Sequence, residues 1–417
     1  MSWEMVRFGD LYITESKNGL TKPSKIRGSG YKMINMGELF ANDRIYDIPM
    51  ELVPLKESEK SNAKVECGDL LFARQSLVLE GAGKCSIVME VSPLTVFESH
   101  LIRVRLDTAR ALPLFYYYYF KSSLSPMKSI VSQCAQAGIR GSDLQELQVI
   151  LPPLKTQQKI TDILAAYDDL IENNQKQIKL LEEAAQRLYK EWFVDLRFPG
   201  HETTPIVNGI PEGWSRKTVE ECLSFHGNGG WGKETSMGKN EHPGKVIRGT
   251  DIEDVKAGRF NDIPLRYHTD NDIKKRTLKI HDLVFELSNG NINNIGRCLL
   301  IDDLVLKNCG ENTICASFCK LLRPVNRLHS LILYWEIQDM QTSGRMLPLK
   351  KHGANGINNF DFDGFLNHEL LIPDNACMLK PIEAIMEKIS IIQGQFALLT
   401  EARDRLLPKL MSGEIEV

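Results

Sequence analysis

Gly227-Asn228-Gly229-Gly230-Trp231-Gly232-Lys233 fits the first seven positions of a phosphate-cradling loop. The eighth position, where a hydroxyl must hold the magnesium ion, is Glu234. No apolar strand precedes the stretch and no helical pattern follows it, so a flexible turn is the better reading. Gly81-Ala82-Gly83-Lys84-Cys85 fails the same test, lacking the first glycine and the final hydroxyl. Cys309, Cys315 and Cys319 are separated by five and three residues, with no CxxC pair, and read as buried thiols rather than metal ligands. His100, His268, His281 and His352 have no nucleophile beside them. The Asn/Asp-Pro-Pro-aromatic motif of an amino-methyltransferase is missing, because Pro152-Pro153 stands between Leu151 and Leu154. Tyr116-Tyr117-Tyr118-Tyr119 could stack bases. On a helix, however, four consecutive residues face four directions, which predicts two in the core and two at its boundary.

Better candidates lie in polar loops whose side chains suit nucleic acid. Arg, Gln and Asn can read guanine and adenine edges with paired hydrogen bonds, and Lys can hold phosphates. In the first half of the chain these are Lys22, Lys25 and Arg27 in a basic turn, then Arg74, Gln75 and Ser76, then Gln136 and Arg140. In the second half they are Ser288, Asn289 and Asn291, then Lys350, Lys351, His352 and Asn355.

The elements that must position these loops occur twice. Asp69-Leu70-Leu71-Phe72 returns as Asp282-Leu283-Val284-Phe285, an offset of 213 residues. At the same offset Gly83-Lys84-Cys85 meets Gly296-Arg297-Cys298, and Glu98 meets Glu311. Further on the offset is 218, where Gly138-Ile139 meets Gly356-Ile357 and Glu183-Ala184 meets Glu401-Ala402. Trp3 opens one copy and Trp214 the other. Two long copies are not a solenoid, which needs shorter and more numerous units. They predict two similar modules with an internal two-fold, suited to a target in two parts. Scaffold positions repeat while the polar loops differ, as two readers of different sequences would.

Each copy reads as a strand-rich module followed by one long helix. Strands are expected at Leu70–Phe72, Ser86–Met89 and Leu101–Arg105, answered by Leu283–Phe285, Leu299–Ile301 and Ile314–Phe318. Short helices are expected at Pro113–Lys121 and Leu331–Met340. Then Ile160, Leu164, Tyr167, Ile171, Asn174, Ile178, Leu181, Ala185, Leu188 and Trp192 follow in alternating steps of four and three, a heptad seam. The second helix supplies Ile385, Ile389, Ile392, Phe396, Leu399, Leu406 and Leu410, with Arg403 interrupting. Helices are thus predicted at about 157–195 and 378–411. Pro408 is expected to kink or end the second near Leu407. A narrow apolar stripe needs a partner, so the two helices are expected to pair antiparallel, with Asn174 fixing register.

A composition of 42% apolar and 25% charged residues is ordinary for a globular protein. No apolar run reaches the length of a membrane span, and Met1-Ser2-Trp3-Glu4 opens no signal peptide. Nine cysteines in no framework spacing suit a reduced, cytoplasmic protein. The net charge of −3 argues against general nucleic-acid binding and leaves room for specific binding through local cations, helped by a partner.

Three further motifs have a family pattern. They are Cys67-Gly68-Asp69-Leu70-Leu71-Phe72-Ala73-Arg74, the helix opening Leu151-Pro152-Pro153-Leu154-Lys155-Thr156-Gln157-Gln158-Lys159-Ile160, and the ending Arg405-Leu406-Leu407-Pro408-Lys409-Leu410-Met411-Ser412-Gly413-Glu414-Ile415. With the doubled array, the whole chain resembles the specificity subunit of a type I restriction-modification system. The second copy departs at Ile372-Pro373-Asp374, where the Leu-Pro-Pro opening and the Gln-rich helix start are missing. The resemblance implies an α+β chain of two mixed target-recognition domains, at 1–153 and 199–373, joined by antiparallel coiled-coil spacer helices at 154–198 and 374–417. It implies that each domain reads one half of a split site in double-stranded DNA. It also implies a non-catalytic chain that carries two adenine-N6 methyltransferase subunits and two restriction subunits. S-adenosylmethionine and ATP with magnesium would then be used by those partners and no cofactor by this chain. The alternatives are a stand-alone bipartite DNA-binding regulator, which would bind its site alone, and a self-sufficient enzyme.

Overall fold

Asp69 and Asp282, the acids that open the two copies of the repeat, are both buried and both hold an arginine in a two-pronged grip. Asp69 accepts from Arg105 Nε and Nη2 at 2.7 and 2.8 Å, and Asp282 from Arg323 at 2.9 and 2.7 Å. A buried carboxylate needs such a partner, and the planar guanidinium supplies it with paired hydrogen bonds. The computed structural model describes residues 3–133, 137–353 and 356–417. It divides into two units, residues 1–169 with 400–417, and residues 170–399.

In unit one a five-stranded sheet has the order Tyr12–Asn18, Leu101–Leu106, Leu70–Ala73, Cys85–Val88, Arg44–Ile45. All of Leu70–Ala73 is buried because both faces of the strand are covered. Leu70 and Phe72 join a core with the helix Pro113–Lys121, while Leu71 and Ala73 join a second core with Met33, Val53 and Phe97. Unit two repeats the first four strands in the same order, as Leu223–Asn228, Cys319–Pro324, Leu283–Glu286 and Cys298–Leu300. Leu283 and Phe285 face the core that holds the helix Arg327–Ser343, and Val284 faces the other. The repeated Gly-Lys/Arg-Cys has a plain cause. Gly83 and Gly296 take φ of +76° and +87°, and a Cβ at either would strike Met127 or Met346.

The match of Glu98 with Glu311 is not structural. Val96–Phe97 pairs in parallel with Met33–Ile34, and its counterpart Ile314–Cys315 pairs in parallel with Val246–Ile247. The offset is therefore already 218 there. The extra residues of unit two include the helix Asp303–Cys309, which has no counterpart among the described residues of unit one. The strand expected over Ile314–Phe318 stops at Cys315 for the same reason, and Cys319–Pro324 takes the place of Leu101–Leu106.

The tyrosine run also differs from expectation. All four of Tyr116–Tyr119 are buried, not two, because their helix lies between the sheet and the first long helix. Tyr116 Oη donates to the Ile150 carbonyl at 2.9 Å and Tyr118 Oη to Asp168 at 2.8 Å, leaving no platform for a base. A strand, Leu223–Asn228, does precede the glycine-rich stretch. Gly229 there packs on the Cys315 and Ala316 backbone, where a Cβ has no room. Cys309, Cys315 and Cys319 are buried, and burial pushes the first two thiols up to about 11 and about 12.

The long helices span Leu154–Tyr189, continued by a wider turn at Lys190–Val194, and Lys380–Ser412. Pro408 neither ends nor interrupts the second. Leu407, Leu410 and Met411 on either side are anchored in the unit-one core, and the carbonyl that Pro408 cannot serve belongs to exposed Asp404. Within unit one, Ile160 and Leu164 share that core with Leu406, Leu407 and Leu410. Within unit two, Ile178 and Leu181 meet Ile385, Ile389 and Ile392, while Ala185 and Leu188 join Ile382. The helices are thus antiparallel in each unit. Ile171, Asn174 and Phe396 are buried, and Tyr167 and Leu399 are half-buried. Arg403 is no gap in the seam, since it donates to Asp168 at 2.8 Å, the same carboxylate that Tyr118 reaches. Gln157 ties the first helix to its module, receiving from the Leu112 N–H and donating to the Arg110 and Pro152 carbonyls. No helix among the described residues is long and apolar enough to cross a membrane.

Candidate nucleic-acid interface

In each unit the strand that follows the repeated Asp runs out of the core sheet into a hairpin, and the first residues of that hairpin start a second, smaller sheet. In unit one Gln75–Ser76 pairs with Ala137–Gly138, which pairs with Ser132–Gln133. In unit two Ser288–Asn289 pairs with Asn358–Asn359, which pairs with Lys350–Lys351. Loops more than 60 residues apart in sequence are thereby joined, and the same three-stranded order arises twice. These are the loops whose residues differ between the copies.

Arg74 enters the unit-one surface by its backbone, with its N–H on the His100 carbonyl at 2.8 Å and its carbonyl receiving from Ile139 at 3.0 Å. That places exposed Arg140 next to the sheet, at the start of the short helix Gly141–Glu146. Neither arginine has a carboxylate partner among the described residues, and the Arg74 guanidinium meets only the Ser99 carbonyl at 3.5 Å. The basic turn is different. Lys22 is buried against Glu59 at 2.7 Å, and Arg27 pairs with Glu51 at 2.6 Å and the Lys22 carbonyl. Lys25 alone stays exposed without a partner among the described residues.

In unit two Ser288 Oγ donates to Asn359 Oδ1 at 2.8 Å, and Asn289 Nδ2 donates to buried Glu286 at 2.7 Å. Asn289 Oδ1 receives from the Asn291 N–H and Asn291 Oδ1 from the Asn293 N–H, so both asparagines build the hairpin tip. Lys351 is exposed beside Asp361 at 3.0 Å. Lys350 is half-buried with no carboxylate partner among the described residues, and desolvation holds its ammonium below the usual lysine range. His352 Nδ1 lies 3.0 Å from Asn358 Oδ1. Gln136 and Asn355 lie outside the described residues.

Sequence reasoning missed Asn358 and Asn359, the middle strand of this surface, although the Asn-Asn pair just after Gly356-Ile357 was a visible sign. It also missed Phe318, 60% exposed, whose carbonyl receives from Leu287 as His100 receives from Arg74. Among the described residues the surface offers hydrogen-bonding side chains and, at Arg74, Arg140 and Lys350, cations without a carboxylate partner. It can bind and discriminate polar edges in a polyanion.

A family model described as type I restriction modification DNA specificity domain matches residues 1–183. The MjaIX specificity subunit of Methanocaldococcus jannaschii is 24% identical in an alignment covering 100% of this chain and 94% of that protein. Along its whole length the chain is similar to type I restriction specificity subunits. The EcoKI specificity subunit of Escherichia coli is 31% identical over 38% of this chain and 36% of its own length. A crystal structure of the type I specificity subunit from M. genitalium shares the fold, with a TM-score of 0.52 at 15% identity, covering 98% of this chain and 96% of that one. The chain shares with that structure an α+β fold of two mixed modules with long helices.

Proposed function

We propose that this chain is a specificity subunit that reads a split site in double-stranded DNA, one half with each unit, and positions adenine-N6 methyltransferase and restriction subunits on it. The observation that carries this reading is the polar three-stranded surface built twice, in the same order, from loops that differ in sequence. A subunit reading one continuous palindrome would gain nothing from two unlike surfaces in one chain. Phosphate contacts from Lys350, Lys351 and Arg140 would set position, and Arg74, Gln75, Ser288 and the asparagines would meet base edges. With a net charge of −3, the chain would rely on its partners for much of the phosphate affinity. Two methyltransferase and two restriction subunits would supply S-adenosylmethionine and ATP chemistry in the cytoplasm, and this chain none.

The test is to express the chain with its methyltransferase subunits and map N6-methyladenine across the host genome. The expected result is one motif of two short specific parts separated by a fixed unspecified spacer. An uninterrupted motif, or no new methylation from an assembled complex, would overturn the reading.

A further inference from the structure

The unit-one hairpin that carries Arg74, Gln75 and Ser76 ends in three consecutive apolar residues. Leu77, Val78 and Leu79 are 89%, 59% and 45% exposed. Single apolar residues on a surface need no explanation, but a run of three does. The tip is also built rather than loose. The Val78 N–H donates to Ser76 Oγ at 3.2 Å, and the Gly81 and Ala82 N–H groups close a tight turn onto the Val78 and Leu79 carbonyls. Gly81 sits so near Ser76 that a Cβ has no room. The backbone therefore holds the apolar side chains outward. In unit two the same place is taken by Gly290 and Asn291, in a turn held by asparagine side chains. The two tips share a position and differ in chemistry.

The apolar tip is continuous with a surface that carries Arg74 and Arg140 without carboxylate partners among the described residues. A partner that satisfies both parts must be polyanionic and still present a small apolar group. The major groove of DNA does this, because the C5-methyl of thymine is its only apolar feature and the groove admits a two-stranded ribbon. We infer that Leu77, with Val78 beside it, packs on a thymine methyl in the half-site read by unit one. This rests on the DNA-reading function proposed above. It makes Leu77 a specificity residue that has no equivalent at the unit-two tip.

The test uses the chain assembled with its methyltransferase subunits and duplexes in which each thymine of the site is replaced by uracil in turn, removing one methyl. An adenine to be methylated in each half-site guarantees a thymine opposite it. The unit-one half-site is the one whose mismatch profile changes in Arg74→Ala. There, one uracil substitution should weaken wild-type binding about fourfold, the worth of one buried methyl. Leu77→Ala should weaken binding to the thymine duplex by a similar factor and abolish the difference, leaving the other half-site's response unchanged. Wild-type indifference to every uracil in that half-site would overturn the inference, as would a difference that survives in Leu77→Ala. If the tip instead docks a partner protein, Leu77→Ala will lose methyltransferase subunits while the remaining complex keeps its uracil response, which also overturns it. Arg74→Ala and Arg140→Ala separate the two levels. If they weaken binding while uracil has no effect, only the tip contact fails. If they change neither affinity nor salt dependence, the surface reading fails and this inference with it.

Discussion

Arg74 and Lys350 occupy the two small sheets with the same charge and different means. Arg74 is anchored through both backbone groups, and its guanidinium is nearly unengaged. A planar fork so placed suits a guanine edge, and losing it should cost about 1–3 kcal/mol at one base position. Lys350 is a half-buried point charge whose desolvation a phosphate would offset. Lys350→Ala should therefore weaken binding to all duplexes alike and lower the salt slope by about one counterion, while Lys351→Ala should do less because Asp361 already shares its charge. Titrating cognate and singly mismatched duplexes at several salt concentrations separates the two behaviours. Equal mismatch profiles and slopes for wild type and both variants would remove these residues from the reading surface. At this scale the residue types were legible in the sequence, and their company was not. Lys22 and Arg27 read as free cations because nothing local announces Glu59 and Glu51, which reach them only in the folded module. Asn358 is not legible as part of the surface because the strand it pairs with lies some 70 residues upstream.

Among the elements, the fastening of module to helix in unit two depends on ionisation. Tyr189 on the first long helix donates to Glu336 on the helix Arg327–Ser343 at 2.8 Å, and Glu336 also receives from Arg345 and His368, each at 2.8 Å. Burial would raise the Glu336 carboxyl, but the hydrogen bonds from His368 and Arg345 outweigh it and hold it at about 2. A carboxyl depressed on folding stabilises the folded state above its unfolded value of about 4.5, and that contribution is lost as pH falls toward 2. The amount is about 3 kcal/mol. Acid unfolding followed by tryptophan fluorescence should show wild type losing this stability between about pH 4.5 and 2, with Glu336→Gln starting lower and losing less over the same window. Parallel pH curves for the two proteins would show that the carboxylate does not fasten the unit. The heptad seam was legible because its period is local and long. The polar fastenings were not, since Asp168 and Glu336 look like surface acids in sequence, and Arg403 looked like a break in the stripe that it in fact completes. Pro408 departs from the helix end expected of it for a related reason. A propensity rule weighs one missing hydrogen bond, while the fold also weighs the burial of Leu410 and Met411.

For the whole molecule, the question is whether two modules in one chain read independently. Each unit has its own pair of cores on the two faces of its sheet and its own small polar sheet. The doubling was legible because buried acids, positive-φ glycines and sheet strands constrain residue type at fixed spacing. The helix Asp303–Cys309 was not, because an insertion shifts the offset without leaving a mark in composition. What repeats is scaffold, and what differs is the exposed sheet and its tip, so a change of module should be a change of half-site. On the proposed function, replacing residues 1–150 with the matching segment of a similar specificity subunit, while keeping both long helices, should alter one half of the methylated motif and leave the other half intact. The boundary must keep Gln157, whose amide serves the Arg110 and Pro152 carbonyls and the Leu112 N–H, backbone groups that any replacement can still present. The measurement is the N6-methyladenine map of cells carrying the hybrid with its methyltransferase subunits. A motif changed in both halves would mean that the units read jointly, and the doubled surface would then need a different explanation from two separate readers.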